Sequence, residues 1–143
     1  MLKNEKGQAV APKTVTMTKK DFEDQGNTRV YWLGGGGAMI NDHGTVIMID
    51  PLLEGFDMPL LIDMPIDVKD VPHVDAILVS HVDNDHYSRP TCKDLKAVCK
   101  EYHTSYYVAS LMKEECDVDG IGHDIGDHIQ INDIDVELTP ADH

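Results

Sequence analysis

Ala76-Ile77-Leu78-Val79-Ser80-His81-Val82-Asp83-Asn84-Asp85-His86-Tyr87 is the stretch on which the fold turns. Ala76–Ser80 reads as a short strand, with Ile77, Leu78 and Val79 as an apolar run buried on both faces. His81, Asp83, Asp85 and His86 follow directly. Imidazole and carboxylate are the side chains that hold divalent zinc, manganese or iron. A buried strand feeding a ligand-rich loop is how open α/β folds place their sites, at the carboxyl ends of strands. In an extended loop, alternate residues face the same way. His81, Asp83 and Asp85 are therefore expected to converge while His86 points elsewhere, a pattern that suits two adjacent metal positions. No Cys₄ or Cys₂His₂ arrangement accompanies them, which argues for a catalytic rather than a structural site. The competing reading is a polar, capped turn before a helix, since Asp and Asn are common in turns.

Upstream, Thr28–Leu33 is strand-like, and Gly34-Gly35-Gly36-Gly37 follows it. The glycines lack the frame of a phosphate loop, so they read as a bulge or tight strand crossing beside the site. Ala38–Asn41 and Thr45–Asp50 flank Asp42-His43-Gly44 as a hairpin, with His43 facing solvent. Asp50, at a strand end, is expected to cap backbone groups; the other reading makes it the support of a metal-binding histidine. Leu52–Lys69, with Met58, Pro59 and Pro65, is a long loop suited to a pocket wall or an oligomer contact. Residues 1–27 read as an arm or lead-in, with a short helix over Thr16–Asp24 capped by Thr18 and Asp21.

Downstream, Ser88 and Pro90 open a helix. Cys92, Leu95, Val98, Cys99 and Tyr102 recur at helical spacing, which extends it. Ser105–Ala109 reads as a strand and Ser110 as the cap of a helix ending at Gly120. Ile121–Ile125, His128–Ile131 and Ile134–Leu138 read as three short strands. The histidines His43, His73, His103, His123 and His128 carry no ligand assignment.

The chain has 143 residues, enough for one modest domain. Its net charge of −14 disfavours binding to a nucleic-acid backbone. No leader or membrane-spanning run is apparent, and the odd set Cys92, Cys99 and Cys116 reads as free thiols, so a cytoplasmic location is expected. A small-molecule substrate is the expected partner, with no nucleic acid and no membrane.

These elements resemble the metallo-β-lactamase-fold hydrolases, whose signature is H-x-H-x-D-H after a buried strand and a third His at a later strand end. Here the first reads His81-Val82-Asp83-Asn84-Asp85-His86 and the second Thr139-Pro140-Ala141-Asp142-His143. Tyr31-Trp32-Leu33-Gly34 and Ile49-Asp50-Pro51 are similar to the branch that contains ascorbate-6-phosphate lactonase-like proteins. The resemblance covers residues 28–143. It implies an α/β fold, the N-terminal αβ half of a four-layer αββα sandwich. It implies that His81, Asp83 and His143 hold a first metal ion and that Asp85 and His86 serve a second. It also makes Asp85 the catalytic residue that orients an attacking hydroxide. The cofactor implied is one or two divalent ions, zinc or manganese.

Two departures from the family pattern follow. Asp83 stands where the family has His, and a harder, anionic ligand favours manganese, iron or magnesium over zinc. The family's bridging Asp and last His come from a second half, so a C-terminal half, a second chain or a homo-oligomer is expected to complete the site. The function implied is metal-dependent hydrolysis of a small lactone, ester or phosphoester. The alternative is a non-catalytic metal-binding regulatory or scaffold subunit.

Overall fold

The computed structural model describes residues 3–11, 13–57 and 60–141. Of the residues singled out above, Met58, Pro59, Asp142 and the expected ligand His143 lie outside that set. The chain folds as a mixed α/β structure with one large sheet and one small one. Six strands form one sheet in the order β1-β2-β3-β4-β5-β6. β1 (Thr28–Gly34), β2 (Gly37–Asp42) and β3 (Thr45–Ile49) are an antiparallel meander. The β2–β3 turn has His43 and Gly44 both at positive φ, the type I′ geometry that matches strand twist. His43 is exposed there, its Nδ1 3.0 Å from Asp42.

β4 (Val74–Leu78), β5 (Cys99–Ser105) and β6 (Gly120–His123) then run parallel to β3. Parallel neighbours need crossovers. α1 (Arg89–Asp94) with a 3₁₀ turn at Leu95–Ala97 joins β4 to β5, and α2 (Tyr106–Cys116) joins β5 to β6. All four parallel strands therefore end at one edge of the sheet, where Asp50, Ser80, Ser105 and His123 sit.

The apolar runs are explained by burial on both faces. Leu33, Met39, Met48, Val74 and Ile77 pack with Cys92, Leu95, Val108 and Met112 on the helical side. Ile47 and Ala76 pack on the other side against Ile129 and Ile131 of the hairpin β7 (His128–Ile131) and β8 (Ile134–Glu137). Both hairpin strands alternate, with one face turned to the sheet.

The lead-in is tied to this core. Thr18 and Asp21 form the expected capping box around a 3₁₀ turn at Lys19–Phe22, and Phe22 is fully buried in the main cluster. Asn41 Nδ2 donates to the carbonyls of Asp21 and Glu23, both at 2.8 Å. Among the described residues, no helix is long and apolar enough to cross a membrane.

The region after Asp94 departs from the sequence reading. The helix stops there; Cys99 and Tyr102, expected on the helical stripe, lie in strand β5, and Ser105–Ala109, expected as a strand, holds the end of β5 and the first turn of α2. Pairing on both sides, with β4 and β6, outweighs the local 3.6-residue pattern. Ser105 is then the cap of α2, its Oγ accepting from the Val108 amide. Ser110, expected as that cap, lies inside the helix and donates its hydroxyl to the Tyr107 carbonyl. The helix ends at Asp117 (φ 53) rather than at Gly120, which opens β6.

Candidate metal centre

Asp50 follows β3 at positive φ (44°), and only 4% of it is exposed. Its neighbour in the sheet edge is the segment after β4. The Ser80 amide donates to Asp50 Oδ1 at 2.7 Å and the Ser80 hydroxyl to Oδ2 at 2.6 Å. His86 Nδ1 lies 2.8 Å from the same Oδ2. Asp50 therefore does both things proposed for it: it caps the backbone and it holds a histidine.

The protonation of both rings follows from this network. A carboxylate only accepts, so His86 donates from Nδ1 and its Nε2 carries the lone pair. The Ser80 hydroxyl spends its proton on Asp50, so Ser80 Oγ accepts from His81 Nδ1 at 2.8 Å. His81 thus also presents Nε2 as its lone-pair nitrogen. One buried carboxylate sets both tautomers, directly for His86 and through Ser80 for His81.

Each Nε2 faces a carboxylate. His81 Nε2 is 3.4 Å from Asp83 Oδ2, and His86 Nε2 is 3.7 Å from Asp85 Oδ2. Imidazole lone pairs set against carboxylate oxygens favour a cation between them. The donor chemistry of this set fits a hard or borderline divalent ion. Among the described residues, no three such side chains converge on a single point.

His86 does not point away from its neighbours, as alternation in an extended loop implied. The loop curls: the His86 and Tyr87 amides both donate to the Asp83 carbonyl, at 2.9 and 2.7 Å. The rings of His81 and His86 come to 4.1 Å between centroids. The pairs formed are His81 with Asp83 and His86 with Asp85. Asp85 is the most open of the four, its side chain 77% exposed.

The loop is anchored behind the site. Tyr87 is buried, its hydroxyl 3.3 Å from Cys116 Sγ. Arg89 stacks on the Tyr87 ring, bonds Asn84 Oδ1 at 2.9 Å and pairs with Glu115 at 2.6 Å. The glycine run completes the wall. The register shifts between Trp32 and Gly34, as expected of a bulge. A Cβ on Gly36 would sit 2.9 Å from His86 Cε1, so only glycine lets the ring occupy its place. Ser80 was read only as a strand residue, and Gly36 only as part of the glycine run beside the site. A serine at the strand end beside an Asp-Pro strand end, and a four-glycine run, were the signals that pointed to them.

A second polar cluster also went unread. His103 is buried on β5, with Nε2 2.9 Å from Glu101 Oε2 and Nδ1 2.9 Å from His123 Nε2. Glu101 and His103 alternate on one strand face, a pattern hidden while this stretch read as helix. The three cysteines are free, with Cys92 and Cys116 buried. Burial pushes the Cys92 thiol up to about 12, which suits a packing role.

A family model described as "Beta-lactamase superfamily domain" matches residues 29–143. Among solved structures, the chain is similar to CmlA, a diiron beta-hydroxylase from Streptomyces venezuelae, at a TM-score of 0.65 and 14% identity. That match covers 80% of this chain and 24% of CmlA. It is also similar to Igni18, a metallo hydrolase from Ignicoccus hospitalis, at a TM-score of 0.57 and 19% identity, covering 81% of this chain and 49% of Igni18. The chain thus spans a quarter to a half of the structures it matches. No curated protein matches the sequence. At these identities the structural likeness speaks for the fold.

Proposed function

The chain belongs to the beta-lactamase superfamily domain family, and on that premise we propose that it is the N-terminal portion of a metal-dependent hydrolase. The observation that carries this reading is the shared carboxylate Asp50, which turns Nε2 of both His81 and His86 toward Asp83 and Asp85. In the proposal, His81 and Asp83 hold one divalent ion together with His143. Asp85 and His86 belong to a second position. Zinc and manganese both suit the imidazole and carboxylate set, and Asp83 in place of an imidazole weights it toward manganese. When bound, such ions polarise a carbonyl or phosphoryl oxygen and acidify water.

The chain's own groups have separable parts in this scheme. Asp50 and Ser80 fix the rings and keep their Nδ1 protons in place. Tyr87 and Arg89 hold the loop closed. Asp85, exposed and borne on the curled loop, is the carboxylate available to orient a water or accept its proton. The substrate class proposed is a small lactone, ester or phosphoester, with lactonase-like chemistry favoured by the Tyr31–Gly34 and Ile49–Pro51 segments. Residues 28–143 are read as part of a domain whose remaining ligands come from further sequence or a second chain.

The test is hydrolysis of a lactone and phosphodiester panel by the full-length protein loaded with manganese or zinc. Activity removed by chelation, restored by metal, and lost in Asp85→Ala with metal content retained supports the reading. Metal binding without turnover of any panel substrate overturns it.

A further inference from the structure

The Glu101–His103–His123 cluster shares no residue with the proposed metal ligands, although the cleft that His103 and His123 line reaches Ser80 and Ala141 beside them. A cleft of about 480 Å³ opens between the sheet and the β7–β8 hairpin. Ile49, Leu78, Ile129, Val136 and Leu138 make it apolar, and His103 and His123 both line it. Polar groups in such a setting carry the specificity of a pocket.

The hydrogen-bond order is determined. Glu101 accepts, so neutral His103 is protonated on Nε2 and its Nδ1 is an acceptor. His123 must then donate from Nε2 to that nitrogen, which leaves His123 Nδ1 with the lone pair. Its near carboxylate, Asp127, is 3.8 Å away, beyond hydrogen-bond reach.

We propose that Glu101, His103 and His123 form a proton-accepting site, with His123 Nδ1 taking the proton of a hydroxyl on an apolar molecule seated in this cleft. As Nδ1 gains that proton, the Nε2 proton of His123 passes to His103 Nδ1. His123 ends neutral, His103 ends cationic between Glu101 and His123, and the hydroxyl is left as its oxyanion. The charge comes to rest beside Glu101, the carboxylate bonded to His103.

Other groups facing the cluster shape its titration. Burial, then the neighbouring His103, hold His123 below the ordinary histidine value, against the pull of Asp127. Asp124 and Glu137 also line the cleft, and no Lys or Arg does so among the described residues. His123 is therefore neutral near pH 7 and competent as a base.

The experiment uses the protein with chelator present, so that the metal reading is tested elsewhere and its failure leaves this one standing. Imidazole ¹⁵N spectra across pH report tautomers and proton uptake. The expected result is His103 protonated on Nε2 and one proton shared by the pair, with that sharing lost in Glu101→Gln. Para-nitrophenol, an apolar ring bearing an acidic hydroxyl, is the probe of the cleft. At about pH 6 the wild type should raise its phenolate fraction, and His123→Gln should abolish that rise. Glu101 is half exposed, so its variant tests the chain even where a change at buried His103 prevents folding. Two independent titrations unaffected by Glu101→Gln, or a phenolate signal that is absent from the wild type or unchanged in His123→Gln, overturn the proposal.

Discussion

His86 donates its Nδ1 proton to Asp50 across 2.8 Å, joining the loop after β4 to the residue that ends β3. The two residues are distant in sequence but adjacent at the shared edge of two parallel strands. A change at Asp50 should therefore be read at the metal, which Asp50 itself is not proposed to touch. Asn tolerates the positive φ of this position, so Asp50→Asn keeps the backbone while weakening the acceptor. Metal affinity measured by titration calorimetry should fall roughly 10- to 100-fold. An unchanged affinity would remove Asp50 from the account.

Gly36 should resist any side chain for a local reason. Gly36→Ala brings a Cβ to 2.9 Å from the His86 ring, which must shift or strain. The expected cost is about 1–3 kcal/mol of stability, together with weakened metal binding. Thermal unfolding with and without manganese separates the two effects, since ring displacement also reduces the stabilisation gained from the ion.

Asn41 makes the lead-in part of the fold. Its side chain is fully buried, donates twice to the Asp21 and Glu23 carbonyls and accepts from the Gly44 amide at 2.8 Å. Asn41→Ala strands these backbone groups, so about 2–4 kcal/mol should be lost in urea unfolding. A loss near zero would mean that residues before Thr28 contribute little to the folded state.

Acid sensitivity has an identifiable source in Asp75. Burial pushes this carboxyl up, but the Lys100 ammonium at 2.6 Å and the Val46 amide at 2.8 Å outweigh it, and the net value lies below the usual carboxylate range. A carboxyl whose folded value is depressed stabilises the protein above its ordinary value, and that stability is lost as pH falls through the folded one. Stability measured from about pH 7 down to about pH 3 should decline on this account. Asp75→Asn should flatten the lower limb, and an identical acid slope in both proteins would contradict the assignment.

The sequence carried the strand–loop–helix unit around His81–His86 well, because burial on both faces leaves apolar runs at residues 46–49 and 76–79. The β2–β3 hairpin, the Thr18 capping box and the glycine bulge were legible for similarly local reasons. The stretch from Val98 to Ser110 was not. Cys92, Leu95, Val98 and Cys99 hold a helical spacing by coincidence with the end of α1, and only pairing with β4 and β6 makes Cys99–Ser105 a strand. That misreading also hid the Glu101–His103 face. At the site, residue types were readable, but their pairing was not. The turn closed on the Asp83 carbonyl brings His86 back against His81, and Asp50 reaches both rings only through the parallel register of β3 and β4.

The central claim is that Nε2 of His81 and Nε2 of His86 are the nitrogens presented to metal, with both Nδ1 protons held by the Asp50–Ser80 pair. Imidazole ¹⁵N spectra during a zinc titration of the full-length protein measure this directly. The account predicts that Nε2 of both rings shifts on metal addition while both Nδ1 atoms stay protonated. Coordination through Nδ1, or no change at either ring as zinc binds elsewhere, would contradict it.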